Sequence, residues 1–281
     1  MHPIERLRMV ARAEGEDPGL VAQEAAAALA ACAGDPAGLV TGCRRLVDHQ
    51  TTSGPIWWLA ARVLAAADPE KEAWRAAEAL GRDATPSALT YHLPADVRVV
   101  VVGWPDQAAS ALARRGDCPV LVVDAAGLGG GLARNLRRAG NDATVVDESG
   151  LGAAVVASGL VLLQATAMGP EGFAATAGSL AAAAVARQGG VPVWVVAGVG
   201  RVLPEALWQA LVGRLGAGAD PWDRPVDVVP LDLVDQVVGP DGPEAPGDAR
   251  KRADCPAVPE LTRTWPAPGS RSAGSPQPID G

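Results

Sequence analysis

The chain has few of the side chains on which many catalytic mechanisms depend. Its lysines are Lys71 and Lys251, and its 3 histidines are His2, His49 and His92. Neither lysine follows a glycine, so the sequence has no phosphate-binding P-loop. Neither lysine lies in residues 93–240, where a sheet is predicted below, and each histidine lies outside or at the edge of that segment. A histidine base or a Schiff-base lysine on that sheet is therefore excluded.

Long apolar runs are also absent, and cysteine is scarce. No uninterrupted apolar run reaches the length that a membrane-spanning helix needs, and residues 1–17 are charged and amphipathic. We therefore expect a cytoplasmic protein with no membrane partner. The cysteines are widely spaced, which is typical of buried thiols and not of a zinc site or a disulfide framework: Cys32, Cys43, Cys118 and Cys255. We expect no metal and no cofactor.

Positive charge is too sparse to indicate a nucleic-acid partner. The net charge is -8, and the one local basic cluster, Arg134, Arg137 and Arg138, lies on a single predicted helix. Binding to phosphate backbones needs a continuous basic surface.

What the sequence does contain is a change of hydrophobic period near residue 93. Residues 1–90 carry apolar side chains at helical spacing, starting with residues 4–13, and Ser53 followed by Pro55 predicts a helix start. Residues 93–240 instead contain short apolar runs alternating with helical segments: 97–102, 119–124, 143–147, 160–163 and 192–197. This pattern predicts an α/β protein, with a helical amino-terminal domain at 1–90 and a Rossmann-like parallel sheet with helices on both faces at 93–240. Residues 241–281 are rich in Pro and Gly and predict a disordered tail.

Ligands of open parallel sheets bind beyond the carboxyl ends of the strands, so the residues after each strand are the candidates for a site. The acids at those positions are Asp106, Asp124, Asp147 and Glu148. Any of them could act as a general base if buried, although a solvated role is commoner. The glycine-rich turn 124–131 lacks the GxGxxG spacing and is better explained as a crossover loop than as a nucleotide site. Cys118 precedes a strand and is better explained as a core residue than as a nucleophile.

The segment from 159 to 198 predicts a strand, a loop, a helix and a strand. Between Leu160 and Ala186 its only ionisable side chain is Glu171. The place where an α/β protein keeps its active site is thus present, while the side chains for proton transfer are missing.

Four segments of the chain, in this order, resemble one known family: VRVVVVGWPDQAASAL, CPVLVVDAAGLGGGLARNLRRAG, residues 142–198 and VDVVPLDLV. It contains the alpha, beta and delta subunits of translation initiation factor 2B and the methylthioribose-1-phosphate and ribose-1,5-bisphosphate isomerases. The helical region before them is similar to that family's as well. The resemblance implies a homodimer and a site for a small phosphorylated ligand.

The residues that the resemblance assigns to isomerase chemistry are replaced in this chain. The family's Gly-Ala-Asp reads Gln164-Ala165-Thr166, and its Asn-Lys-x-Gly-Thr reads Ala175-Thr176-Ala177-Gly178-Ser179. The arginine of its acid-x-Arg-Pro motif is lost from residues 124–127. The predicted ligand-binding residues are Gly103, Gln164, Thr166, Gly178, Ser179 and Arg201, and Asp124 and Asp147 are the weak candidates for a catalytic acid.

The sequence leaves three functional hypotheses. The first is a non-catalytic, initiation-factor-2B-like protein that binds a small phosphorylated metabolite or a protein partner. The second is a divergent phosphosugar isomerase, or another sugar-phosphate or nucleotide enzyme, that uses Asp124 or Asp147 with Arg201. The third is an interaction module whose functional part is the tail.

Overall fold

The computed structural model describes residues 18–216 and 220–263, and in them a helical region precedes an α/β region. The helices are α1 (Pro18–Ala30), α2 (Pro36–His49), α3 (Gly54–Ala65), α4 (Pro69–Gly81), α5 (Thr85–His92), α6 (Asp106–Leu112), α7 (Gly129–Arg138), α8 (Leu151–Val156), α9 (Ser179–Gly189), α10 (Glu205–Leu215), α11 (Pro246–Ala249) and α12 (Pro259–Thr262). The strands are β1 (Val99–Val102), β2 (Val120–Val123), β3 (Ala143–Val146), β4 (Leu160–Gln164), β5 (Ala167–Met168), β6 (Gly172–Thr176), β7 (Val193–Val196), β8 (Val226–Pro230), β9 (Gln236–Gly239) and β10 (Gly242–Glu244). The predicted helix at 4–13 lies outside the described residues.

Local sequence signals set the starts of the early helices. Asp35 and Asp68 precede α2 and α4, and their carboxylates accept backbone N–H bonds from Gly38 and Lys71 at 3.0 Å each. A proline follows each aspartate at the first helical position, where its missing N–H costs nothing. Ser53 does occupy the position before α3, but its side chain makes no capping bond and its hydroxyl is buried.

The main sheet has seven strands in the order β10-β9-β7-β4-β1-β2-β3. All neighbouring pairs are parallel except β9 and β10. Alternate residues of β1 enter different cores: Val100 and Val102 pack on one face of the sheet, and Val99 and Val101 pack on the other. Helices therefore cover both faces, as the uniformly apolar strands predict.

A second, antiparallel sheet of three strands, β5-β6-β8, replaces the loop predicted after β4. Residues 172–176 pair with residues 226–230, which lie 50 to 58 positions further along the chain. The sequence of β6 is Gly-Phe-Ala-Ala-Thr, in which the small residues carry little strand propensity, so long-range pairing determines this strand.

Ordered structure extends further along the chain than its composition predicts. Within the predicted tail, residues 242–244 form β10 on the edge of the main sheet. The side chains of Cys255, Val258 and Leu261 then pack into the core of the helical region. Polar contacts hold this segment: Trp58 donates its Nε1–H to Asp254 at 2.5 Å, beneath the guanidinium of Arg62. Residues 264–281, the remainder of the tail, lie outside the described residues. None of the described helices is long and apolar enough to cross a membrane.

Candidate functional site

A cleft of about 740 Å³ opens at the carboxyl ends of β1 and β4, between α6, α7 and the start of α9. Its size lies within the range of small-molecule sites. Its lining is mostly apolar or neutral polar: Val102, Trp104, Pro105, Asp106, Ala109, Ser110, Ala113, Leu128, Asn135, Leu163, Gln164, Thr166, Thr176 and Ser179.

An ion pair lies beneath this cleft. Arg201 is 1 % exposed, and its Nη2 lies 3.0 Å from Oδ2 of Asp106. Its Nη1 donates to the backbone carbonyl of Ala165 at 2.8 Å, while its Nε has no hydrogen-bond partner among the described residues. Two nitrogens of the guanidinium thus contact the protein itself, and the buried charge is paired with Asp106.

The side chain of Gln164 links the end of β4 to the start of α6. Its Oε1 accepts the backbone N–H groups of Gln107 at 2.8 Å and Ala108 at 3.2 Å. Its Nε2 donates to Oδ1 of Asp106. The side-chain amide of this predicted ligand-binding residue therefore bonds the protein itself, and it occupies two first-turn N–H groups of α6.

The network continues into the helical region through Asp83. Its Oδ2 accepts from Nε2 of Gln107 at 2.7 Å and from the backbone N–H of Val199 at 2.9 Å, and its Oδ1 accepts from the hydroxyl of Thr85 at 2.6 Å. A second cavity of about 170 Å³ lies here, and its lining includes Asp83, Asp106, Gln107 and Arg201. Asp83 could not be predicted from the sequence, because no local pattern links it to residues 107 and 199.

Two carboxylates cap the other helices at the cleft. Oδ1 of Asp124 accepts the backbone N–H of Gly129 at the start of α7, at 2.7 Å. Oδ2 of Asp227, on β8, accepts the backbone N–H of Leu180 at the start of α9, at 2.9 Å. Asp227 was also missed from the sequence, since β8 joins this site only through its pairing with β6.

The structure brings most of the predicted ligand-binding residues together. Gln164, Thr166 and Ser179 line the cleft. Gly103 has φ +66°, and a Cβ there would lie 3.0 Å from Cγ2 of Thr176. Gly178 has φ +94°, and a Cβ there would lie 3.5 Å from a methyl group of Val102. Both glycines thus form backbone beside the cleft in a conformation that favours glycine.

Besides the two glycines, three predicted residues are not part of the cleft lining. Arg201 lines the smaller cavity and not the cleft. Asp124 is half-buried and capped on Gly129, and Asp147 is exposed. Along the sheet, β2 is three strands from β7, and β3 is four. At about 4.8 Å per strand, Asp124 and Asp147 follow strands about 14 and 19 Å from the strand that precedes Arg201.

The cysteines have the environment of core thiols, as predicted. All four are free, and Cys43, Cys118 and Cys255 are buried. Burial raises the pKa of Cys43 far above its ordinary range, with the nearby Cys32 adding to the shift. Burial raises the pKa of Cys255 to about 12, with Asp254 adding to the shift. Burial also raises the pKa of Cys118. A nucleophilic cysteine needs the opposite shift. The described residues contain no cluster of three or more His, Cys, Asp or Glu side chains that could hold a metal ion.

Several solved structures share this architecture at low sequence identity. Translation initiation factor eIF-2B from Pyrococcus horikoshii OT3 superposes with a TM-score of 0.74 at 13% identity, over 88% of this chain and 98% of the other. The chain has the fold of that protein. The tetrameric eIF2B-beta2-delta2 complex from C. thermophilum gives a TM-score of 0.68 at 17% identity, over 89% of this chain and 92% of the other. The 5-methylthioribose 1-phosphate isomerase from Pyrococcus horikoshii OT3 gives a TM-score of 0.62 at 13% identity, over 89% of this chain and 86% of the other.

Sequence comparison finds no counterpart: no protein-family model matches the chain, and neither does any curated protein. The structural likeness supports the resemblance identified from the order of the sequence elements. At these identities it establishes the fold and leaves the chemistry to the site residues.

Proposed function

We propose that this chain is a non-catalytic, initiation-factor-2B-like protein that binds a small molecule in the cleft above Asp106. The observation that carries the proposal is the state of that carboxylate, the only ionisable side chain among the described lining residues. It faces the buried guanidinium of Arg201 and also accepts the amide of Gln164. Both oxygens of this carboxylate thus already accept hydrogen bonds from the protein itself, so the one acidic side chain of the lining is engaged in holding the fold.

The position that carries an acid in the isomerases supports the same proposal. Thr166 stands there, and its hydroxyl donates to the carbonyl of Ala174 at 3.2 Å. A threonine hydroxyl is too weak an acid and too weak a base for general acid–base catalysis near neutral pH, and here it bonds β6 beside the cleft. Loss of a positioned general acid or base costs on the order of a hundredfold or more in rate.

The alternative, a divergent phosphosugar isomerase using Asp124 or Asp147 with Arg201, gains no support from the geometry. That mechanism needs Asp124 or Asp147 to be buried beside Arg201 or Arg134. Arg201 is instead paired with Asp106, and Arg134 is exposed on α7.

A thermal-shift screen tests the proposal when it compares the wild type with a variant whose cleft is filled by a larger side chain. A ligand at 100 times its Kd adds about 2.7 kcal/mol and raises Tm by several degrees. Thr176→Phe places a bulky side chain in the cleft, and Thr144→Phe, on the exposed face of β3, is the matched control. Hits that stabilise the wild type and the control but not Thr176→Phe support the proposal. A panel without hits, or hits that survive Thr176→Phe, would contradict it.

We also propose that the chain forms a homodimer in the cytosol. The eIF2B-beta2-delta2 complex with this fold is tetrameric. Three apolar side chains lie exposed on packed neighbours α8, α9 and β8: Val156 at 65 %, Leu180 at 40 % and Val228 at 39 %. Exposed apolar surface of this kind favours association, and the free cysteines fit a reducing compartment. Light scattering should give twice the chain mass of 28.5 kDa, and the Leu180→Glu/Val228→Glu variant should give one chain. A wild-type monomer would refute the dimer.

A further inference from the structure

At each helix start around the cleft, a position where α/β proteins bind phosphates, at least one first-turn N–H already donates to an oxygen of the chain itself. A phosphate binds there by accepting free first-turn N–H groups. In α6 two of these donate to Gln164, in α7 one donates to Asp124, and in α9 one donates to Asp227. All three helices contribute residues to the cleft lining.

The charges around the cleft also disfavour an anion. Among the described lining residues none is Lys, Arg or His. Asp124 and Asp227 lie at the helix starts just outside that lining, and the Arg201 charge is neutralised by Asp106. Arg134, one turn into α7, is exposed and is not a lining residue. A phosphate bound at the start of α7 or α9 would therefore lie near a carboxylate and find no cation in the described lining, and like-charge contacts of this kind weaken binding.

The mouth of the cleft is instead suited to a flat, uncharged group. Trp104 is 41 % exposed and Leu128 is 44 % exposed, and both line the cleft. Trp104 packs closely on α7, since a Cβ on Gly131 would lie 2.8 Å from its Cζ3 atom. A fixed, half-exposed indole offers a stacking surface. Deeper in the lining, neutral hydrogen-bonding groups remain on Ser110, Asn135, Thr176 and Ser179.

From these observations we infer that the cleft selects an uncharged ligand of nucleoside size over its phosphorylated form. The flat part of the ligand stacks on Trp104, and its hydroxyl groups bond the neutral polar side chains. This inference rests on the proposed function and specifies its ligand class: the self-capped helix starts turn a phosphate-type site into one that rejects phosphate.

Paired probes test this selectivity by titration calorimetry on the full chain. The probes are adenosine, guanosine, cytidine and uridine, each beside its 5′-monophosphate. At least one nucleoside should bind at least about tenfold more tightly than its monophosphate. Trp104→Ala should weaken that binding about tenfold, whereas Trp222→Ala, at a 78 % exposed tryptophan outside the lining, should leave it unchanged.

A second variant tests why phosphate is rejected. Asp227→Asn removes the charge at α9 and keeps an oxygen for Leu180, so it should narrow the gap between nucleoside and monophosphate. Monophosphates that bind the wild type as tightly as nucleosides, and compete for the cleft, would overturn the inference and leave the proposed function standing. If no probe of either kind binds, the inference is wrong for nucleosides, and the thermal-shift screen with Thr176→Phe separately decides the proposed function.

Discussion

Replacing Arg201 with methionine should be among the most costly single substitutions in this chain. The change keeps an apolar stem but removes the bond to the Ala165 carbonyl at 2.8 Å and the ion pair with Asp106 at 3.0 Å. Removing one partner of a buried ion pair costs about 3–5 kcal/mol. The side chain of Asp106 is 18% exposed and keeps the amide of Gln164, so water reaches the abandoned carboxylate. We therefore expect the low end of the range, about 3 kcal/mol.

Urea denaturation followed by circular dichroism measures this cost as a lower midpoint at unchanged m. The matched control is Arg138→Met, at an exposed position of α7, which should change stability by less than about 0.5 kcal/mol. The double variant Arg201→Met/Asp106→Asn should cost less than the sum of the single variants by about 1 kcal/mol or more, because the residues contact each other. A cost below about 1 kcal/mol for Arg201→Met, or strict additivity in the double variant, would refute the pairing that underlies the proposed loss of catalysis.

Three further predictions concern packing and pH. Leu261→Ala should lower the unfolding free energy by about 2–3 kcal/mol in urea melts, because this residue is 0% exposed; a cost under 1 kcal/mol would show that α12 is not docked. Gly169→Ala should cost about 1–3 kcal/mol in the same assay, since the new Cβ would lie 2.1 Å from the Trp208 ring; an unchanged midpoint would contradict this packing. Burial raises the pKa of Cys255 from its ordinary 9.0 to about 12. The unfolded chain therefore loses this proton first, so stability should fall as the pH rises from about 9 towards 12, and less steeply in Cys255→Ala; equal slopes would count against the buried thiol.

The parts of the fold that follow from local pattern could be predicted from the sequence. The valines of β1 are apolar at successive positions, and a strand buried on both faces requires this pattern. Asp35 before Pro36 is a local helix-start pattern, and its side chain caps Gly38 at the start of α2.

The parts that depend on distant partners could not be predicted. The composition of β6 gives no strand signal, and its pairing with β8 is set by the tertiary structure. The docked segment after residue 253 depends on Asp254 meeting Trp58, 196 positions away in sequence. Its proline and glycine content indicates only the lack of regular structure, which is compatible with a packed segment once buried anchors such as Leu261 are present.

The candidate site shows the same division. Gln164 and Thr166 lie at the carboxyl end of β4, where the strand-end rule places ligand sites, whereas Ser179 was predicted from the resemblance to the isomerase family. Whether each is available to a ligand depends on its partners. The hydrogen bonds of Gln164 to α6 and of Asp227 to α9 each join residues more than 40 positions apart in the sequence.

The most direct test of the central claim is to look for isomerase turnover by NMR, using stoichiometric amounts of chain and phosphosugar. Methylthioribose 1-phosphate and ribose 1,5-bisphosphate are the substrates, and free substrate in buffer is the reference. The account predicts no conversion above the reference, because Thr166 replaces the acid and Asp106 is held by Arg201. Conversion above the reference that disappears in Asp106→Asn would contradict it.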